Sequence, residues 1–296
     1  MRAFRWFGMM VGPIIAVTIS SAAAHANNND LETGGKLLLT NGVTSVEGTS
    51  GGGLANWSVI AGKATEEGIG ASSHVTVVVL PDYGWQSHGI AVGLFDRVEL
   101  SYARQNFDTK AVGAALGLGR GFTLNQDIFG AKLRLVGDLV YDHPAIPQIS
   151  IGSHYRKNRD AQIVPLVGAR RSKDIDFYIS ATKLILSQSI LLNGTARLTR
   201  ANQFGLLGFG GDKDNDRSLQ FEGSVGYQLS RRFVVGGEYR TKPDNLSIAK
   251  EDDAMDLFAA WAITDNFTVT AAYVDLGNIV IKDKQRGAFF SLQAAF

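Results

Sequence analysis

The chain has no cysteine among its 296 residues. Disulfides, thiolate metal sites, cysteine nucleophiles and lipidated N-terminal cysteines are therefore excluded. Charged residues make up only 19% of the chain and there are only six prolines, which argues against a long disordered tail. Because 29 basic residues face 28 acidic ones, the charge balance gives no support for nucleic-acid binding. The mean hydropathy of +0.02 is too low for a helical membrane protein.

Only one long apolar run is present, at residues 7–19, and it has the features of a secretory leader. Arg2 and Arg5 precede it, and Ala24-His25-Ala26 follows as an A-x-A cleavage site. The run is shorter than the ~20 residues that a spanning helix needs. The sequence therefore predicts a signal peptide over residues 1–26 and a mature domain over 27–296. Because no later apolar run reaches that length, a bilayer crossing would have to use strands.

The last stretch, residues 288–296, alternates between two faces. Phe290, Leu292, Ala294 and Phe296 share one face, and small or polar residues occupy the other. A terminal strand that ends on Phe is typical of bacterial outer-membrane barrels. We therefore predict that Phe290, Leu292 and Phe296 form an assembly signal read by the barrel-assembly machinery.

Segments of about ten residues with alternating character recur along the mature chain. We predict about 14 strands, or 12 if the weak first pair is a plug or a periplasmic segment. The segments are 35–46, 54–62, 70–80, 84–95, 97–107, 127–139, 148–156, 176–187, 190–199, 218–229, 233–240, 256–263, 267–274 and 288–296.

The connections between these segments alternate in length from Asp96 onward. Outer-membrane barrels have short periplasmic turns and longer external loops. The pattern therefore predicts an all-β fold, a single transmembrane antiparallel up-and-down barrel. The tight turns are 96–97, 188–189, 230–232 and 264–266, with a moderate link at 141–147, and the long connections are 108–126, 157–175, 201–217, 241–255 and 275–287.

Apolar and aromatic residues fall on one face of these segments and charged residues on the other. A charge facing lipid near the midplane would cost ~2–4 kcal/mol, so the charged face is predicted to point inward. Two interpretations stay open: an interior closed by its own ion pairs, or a lumen that conducts solutes. The candidate lumen-lining residues are Glu99, Lys132, Arg134, His154, Arg156, Arg197, Glu222, Glu238 and Arg240.

Three other patterns are weaker. The run 212–216 begins like a calcium loop, but Arg217 stands where the loop requires Gly, so an exposed acidic tip is the better interpretation. The Gly-rich run 117–121 lacks the helix and Lys of a phosphate cradle and is expected to supply turns or to fold inward as a constriction. The hydrolase candidates fall at different strand ends and are not expected to converge, so no enzyme, metal or cofactor is predicted. These candidates are Asp82, His88, Asp142 and His143.

Several long runs are similar to a proteobacterial family, domain of unknown function 3034, whose members look like outer-membrane β-barrels. No catalytic or binding residue is carried over from the resemblance, which implies the architecture and leaves the role open. The runs are IAVGLFDRVELSYARQNFDT, GAALGLGRGFTLNQD, SATKLILSQSILLNGTARLTRANQFGLLGFGG, EYRTKPDNL, AYVDLG and QRGAFFSLQAAF.

The leading functional hypothesis is a porin-like channel for small solutes in the bacterial outer membrane. The alternative is a non-conducting structural or adhesive barrel whose external loops contact a partner, and a barrel hydrolase is a third hypothesis. The expected partners are outer-membrane lipid, the barrel-assembly machinery and a small-molecule solute.

Overall fold

The computed structural model describes residues 34–296 except 44, 142, 144 and 249. Within these residues, twelve β-strands pair with their chain neighbours, and the first pairs with the last to close an antiparallel barrel. The predicted signal peptide lies outside the described residues. The strands are β1 Ile69–Val79, β2 Gly84–Leu94, β3 Val98–Asp108, β4 Thr123–Val136, β5 Gln148–Asn158, β6 Lys173–Ile185, β7 Ile190–Thr199, β8 Ser218–Ser230, β9 Phe233–Arg240, β10 Ala254–Ala262, β11 Phe267–Asp275 and β12 Arg286–Ala295.

The all-β barrel is confirmed, and twelve is the correct strand count, whereas fourteen is wrong. The predicted strands 35–46 and 54–62 do not join the sheet. Leu39, Gly42 and Gly48 have φ values of 66°, 85° and 91°, which interrupt an extended backbone. Residues 35–64 instead run inside the barrel, and we call them the plug.

Alternation along each strand separates the two faces as predicted. On β8, Leu219, Phe221, Val225 and Tyr227 point outward and are at least half exposed, whereas Glu222 is buried inside. The strand β2 has Trp85 inside and His88 and Ile90 outside.

The connections fall into two groups, one at each end of the barrel. Residues 95–97, 137–147, 186–189, 231–232 and 263–266 make up the short-turn end. The other end, the long-loop end, consists of 80–83, 109–122, 159–172, 200–217, 241–253 and 276–285. Its loops carry helix α1 (Lys110–Ala115) and 3₁₀ turns at Val164–Val167 and Asn202–Gly205. Among the described residues, no helix is both long and apolar enough to cross a membrane.

The C-terminal residue closes the barrel at the short-turn end. The Phe296 carbonyl accepts hydrogen bonds from the amides of Ala71 (2.9 Å) and Lys63 (3.0 Å), and its own amide donates to the Ala71 carbonyl at 2.8 Å. Phe290 and Leu292 point outward from β12 and are about half exposed. The three residues predicted to form the assembly signal therefore share the outward face at β12, the strand that pairs with β1 to close the barrel.

Candidate functional site

The plug enters and leaves the barrel at the short-turn end. Gly35 and Ala64 form a β-bridge where the two arms of the plug meet. Lys36 forms an ion pair with Asp96 of a short turn at 2.6 Å. Both arms of the plug therefore emerge on the same side, and the chain between them forms a loop inserted into the bore.

A cluster of charged groups holds the tip of the plug at the centre of the bore. The Glu47 carboxylate lies 2.6 Å from an Arg156 nitrogen, 2.9 Å from Arg197 and 2.7 Å from Arg240. Asp176 pairs with Arg156 and Glu222 with Arg197, each at 2.6 Å. Three guanidinium groups thus face three carboxylates, and all six residues are buried. A buried ionic cluster tolerates desolvation only when its charges are matched in this way.

A second charged pair grips both arms of the plug. The Lys132 ammonium donates hydrogen bonds to the carbonyls of Ser50 and Val59, each at 2.8 Å. Glu99, which pairs with Lys132 at 3.4 Å, accepts from the amides of Ser50 (3.1 Å) and Ala61 (2.8 Å). One wall pair therefore satisfies donors and acceptors on each arm.

The main chain of the plug is hydrogen-bonded to side chains of the barrel wall. In a strand, the same main-chain groups would be hydrogen-bonded to a neighbouring strand. The amides of Leu54 and Asn56 donate to Glu238 and Glu222, each at 2.7 Å. The Ser58 carbonyl accepts from the Gln148 amide at 2.6 Å. Buried main-chain groups need such partners. The polar inner wall therefore serves as the docking surface of the plug.

Apolar side chains close the bore around the plug at the short-turn end. Trp57 is 2% exposed and packs with Leu184, Val234 and Phe258 of the wall. Its indole nitrogen donates to the Ser224 hydroxyl at 2.8 Å. A cavity of about 20 Å³ beside Trp57 has room for about one water molecule.

The loops of the long-loop end fold over the opposite mouth. Phe204 lies on the loop 200–217 and is 3% exposed. Its carbonyl accepts from Arg156 at 3.0 Å, and the Arg240 guanidinium lies over its ring at 4.7 Å. A cavity of about 30 Å³ remains beneath the loops. The plug from one end and this loop from the other therefore meet at the same arginines. The apolar side chains that join Phe204 in covering the mouth are Val112, Ile163, Val164, Val167, Leu206, Leu207, Leu246, Leu276 and Ile279.

The electrostatics of the cluster fix the charge of Glu47. Burial by itself raises the pKa of this carboxyl, but Arg156, Arg197 and Arg240 outweigh burial and hold the pKa well below its usual range. Glu47 is therefore ionised wherever the plug is docked at neutral pH.

All nine residues selected as lumen-lining candidates point inward and are buried. Eight of them surround the plug, and His154 lies 3.4 Å from Glu47. Arg134 is different, because it lies at the short-turn end and donates to Asp138 and to the Gly137 carbonyl. The eight are Glu99, Lys132, His154, Arg156, Arg197, Glu222, Glu238 and Arg240.

Glu47, Trp57 and Asp176 are central to the site but were not selected from the sequence. Glu47 and Trp57 lie in a segment whose weak alternation suggested strands, so their partners in the wall were not considered. Asp176 was placed at the start of a predicted strand without a face assignment. The run of Gly and Ser around Glu47 (residues 48–53) is a signal that this segment is not a strand.

The weaker sequence patterns do not form a site among the described residues. Asp212 accepts from the amide and hydroxyl of Ser247, which occupies its oxygens. Gly117, Gly119 and Gly121 have φ of 75°, 96° and 73° and form exposed turns.

The hydrolase candidates do not converge either. Asp82 lies at the long-loop end, His88 on the outer face and His143 at the short-turn end. Asp142 lies outside the described residues.

Comparisons with known proteins assign the chain to a family. The sequence model described as "Protein of unknown function (DUF3034)" matches residues 40–293, which include most of the plug. The chain belongs to this family. No curated protein matches it.

A solved porin shares the fold, and other solved barrels are more distantly similar. The KdgM porin aligns over 76% of this chain and 99% of its own, with 10% identity and a TM-score of 0.50. The NanC porin aligns over 76% of this chain and 98% of its own, with 9% identity and a TM-score of 0.47. An active-site mutant of outer membrane phospholipase A from Escherichia coli aligns over 75% and 89%, with 8% identity and a TM-score of 0.44.

The protein is thus an outer-membrane β-barrel of porin-like fold. Its outward face is apolar and carries aromatic residues near the strand ends, as a bilayer requires. In such barrels the short turns lie in the periplasm and the long loops outside. The plug therefore enters from the periplasm, and the loop that carries Phe204 covers the external mouth.

Proposed function

We propose that this protein is a porin-like channel for small solutes that is held closed by its own plug and conducts when the plug moves. The observation that carries the proposal is the contact between the plug and a charged inner wall. The plug does not belong to the sheet, so it can leave without unpairing a strand. Closure of the bore by the plug then depends on docking rather than on strand pairing, and the loop that carries Phe204 covers the other mouth.

The size of the barrel supports this proposal. Barrels of about eight strands are filled by their own side chains, whereas barrels of 16–18 strands enclose an aqueous channel. Twelve strands lie between these limits, and here the bore accommodates an inserted polypeptide. With the plug withdrawn, Glu99, Lys132 and the central arginines would line a water-filled passage.

The chemistry of docking also supports reversible movement. The contacts of Glu47, Ser50, Leu54 and Asn56 with the wall are hydrogen bonds and ion pairs, which water can replace when the plug leaves. The apolar packing of Trp57 opposes withdrawal and favours the closed state. Because both arms emerge at the periplasmic end, the loop can withdraw without threading a chain end.

The test compares single-channel conductance in planar bilayers for the wild type, Glu47→Gln and the control Glu66→Gln. Glu66 is exposed, just beyond the plug. We expect rare openings for the wild type and the control, and frequent openings for Glu47→Gln. Loss of the Glu47 charge leaves three arginines against two carboxylates. If the Glu47→Gln barrel is folded and its plug is loosened but it never conducts, the channel proposal is wrong.

A second candidate function is a non-conducting barrel whose external loops contact a partner. The apolar closure at both mouths, around Trp57 and Phe204, favours this candidate. It predicts no solute flux from any variant with a loosened plug, so the same bilayer experiment separates the two functions.

Two further expectations remain proposals. We propose that the protein has no enzymatic activity, since Asp82, His88 and His143 lie too far apart to act together. Hydrolysis of phospholipid by the purified barrel would contradict this. We also propose that the β12 face with Phe290, Leu292 and Phe296 is recognised by the barrel-assembly machinery.

A further inference from the structure

Charged side chains form a row on the outward face of the barrel, near its external end. The strand register places Arg104 of β3 opposite Asp127 of β4, Asp127 opposite Lys157 of β5, and Lys157 opposite Lys173 of β6. Odd-numbered residues of β4, β5 and β6 and even-numbered residues of β3 point outward. The row therefore faces lipid, unlike the charged cluster in the bore.

The hydrogen-bond partners of Asp127 are groups other than the two lysines. It accepts hydrogen bonds from Tyr102 (3.0 Å), from Arg104 (2.8 Å) and from Arg159 of the adjoining loop (2.9 Å). Arg104 and Arg159 remain partly exposed, with 34% and 49% of their side-chain surface accessible. Both guanidinium side chains are thus partly accessible from outside the protein.

Lys157 and Lys173 are exposed and directly opposite each other. Neither ammonium group has an ion pair or hydrogen bond within the described part of the chain. Like charges in directly opposed positions destabilise a sheet. An anion placed between the two ammonium groups would remove this repulsion.

The row lies just outside a layer of aromatic residues. The next outward positions toward the middle of the same strands are Tyr102, Phe129, Tyr155 and Ile175. The rings of Tyr102 and Phe129 are 5.1 Å apart, and those of Phe129 and Tyr155 are 6.3 Å apart. Aromatic residues mark the interface of the hydrocarbon layer. The charged row therefore lies at the depth of the lipid headgroups.

On the opposite side of the barrel, the outward-facing Arg286 on β12 differs from the two lysines because it is paired with Asp275 at 2.6 Å. The cationic patch is defined as Arg104, Lys157, Arg159 and Lys173, and it lies on β3–β6 and the loop after β5. Of the nearby carboxylates, Asp127 already accepts hydrogen bonds from three groups, and Asp160 accepts from the Asn125 amide at 2.6 Å.

We propose that the cationic patch binds the phosphate of an anionic lipid headgroup in the outer leaflet. Lys157 and Lys173 hold the phosphate between them, and the guanidinium groups of Arg104 and Arg159 supply further donors. Guanidinium and ammonium groups are the usual hydrogen-bond donors to phosphate in proteins. The acyl chains of this lipid would pack on the aromatic layer below.

The test uses the full mature barrel in zwitterionic micelles and the phosphorylated glycolipid lipid A as the probe, with binding followed by native mass spectrometry. The variant is Lys157→Gln/Lys173→Gln. The control is Lys250→Gln/Lys284→Gln, two exposed loop lysines outside the patch. Each lysine near a membrane surface contributes about a factor of five in affinity, so the patch variant should bind about 30-fold more weakly and the control should bind like the wild type.

Thermal unfolding supplies a second measurement. The difference in stability between the wild type and the patch variant should depend on whether lipid A is present. Without anionic lipid, the patch variant should be at least as stable as the wild type, because repulsion is removed. With lipid A, the wild type should gain stability and the patch variant should not. Equal affinity of wild type and patch variant would overturn the proposal. Displacement of lipid A by low concentrations of inorganic phosphate would also overturn it, because the patch would then be a site for free anions.

Discussion

Glu47 and Arg197 meet in the middle of the barrel, with an Arg197 nitrogen 2.9 Å from a Glu47 oxygen, although 150 residues separate them in the chain. One belongs to the plug and the other to strand β7. Together with the contacts of Arg156 and Arg240, this contact joins the plug to three strands of the wall through a single carboxylate.

Replacing Glu47 with Gln should loosen the plug. Removing one partner of a buried ion pair costs about 3–5 kcal/mol of stability. If this cost falls on docking, the population of undocked plug should rise by at least roughly 100-fold. The chain has no native cysteine, so Ser50→Cys supplies a single label site inside the bore. Thiol labelling of Ser50→Cys should accelerate by that factor with Glu47→Gln and stay unchanged with Glu66→Gln. Equal rates in all three proteins would contradict the role of Glu47.

Acid should undock the plug only below the range in which an ordinary glutamate titrates. The folded pKa of Glu47 is depressed, so its stabilising contribution is complete above its unfolded pKa of about 4.3 and disappears as the pH falls through the folded pKa. The part of the Trp57 emission change that depends on residue 47, with Trp57→Phe as the baseline, should therefore appear only below about pH 4. The groups that face Glu47 are Asn56, His154, Arg156, Arg197 and Arg240.

The same titration of Glu47→Gln identifies the group that responds. The acid-induced shift of the Trp57 emission should be smaller in this variant, because residue 47 no longer titrates. A transition above about pH 5 that is present in the wild type and absent from Glu47→Gln would contradict the depressed pKa of Glu47.

The effects of substituting Lys132 and Glu99 on the free energy of unfolding should be strongly coupled. Lys132→Met leaves the Glu99 carboxylate buried without its cation and should cost about 3–5 kcal/mol, and Glu99→Gln should cost a similar amount. The double variant should lose less than the sum of the two, because no uncompensated charge remains. Urea unfolding from lipid vesicles measures all three. Additive losses would show that the pair does not act as a unit.

Phe296→Ala should reduce assembly of the barrel in cells more than folding of the purified chain. The substitution keeps the backbone hydrogen bonds of residue 296 with Ala71 and Lys63 and removes only the ring, which lies on the outward face proposed as the assembly signal. Phe267→Ala is the matched control, because Phe267 is an outward aromatic of similar exposure at the same end of the adjacent strand. The two variants should fold alike into detergent and differ in outer-membrane abundance. Equal abundance in cells would contradict the assembly role.

The barrel could be predicted from the sequence because its signals are local. Alternation along strands such as β8 gives the two faces, and the lengths of the connections give the topology. The plug could not be predicted in the same way. Its contacts join residues as far apart as Leu54 and Arg240, 186 positions along the chain. Glu47 carries no local sign of its role, since its meaning comes from arginines on three different strands.

The charged inner face illustrates the same limit. Glu99 and Lys132 could be placed inside from strand periodicity alone. Whether they would line water or bind another segment depended on where residues 35–64 lie, and an irregular segment has no periodicity that indicates its position. The two interpretations left open by the sequence therefore differ only in the location of the plug.

Tethering the plug to the wall tests the central claim most directly. A Cβ added at Gly130 would lie 3.1 Å from the Thr49 methyl carbon. This is close to the distance between the Cβ of one cysteine and the sulfur of the other in a disulfide. Thr49→Cys/Gly130→Cys, with Ser101→Ala to make room, should form a tether in the Glu47→Gln background. Conductance in planar bilayers should be suppressed after oxidation and return after reduction. An oxidised, tethered barrel that conducts as well as the reduced one would contradict the claim that the plug closes the bore.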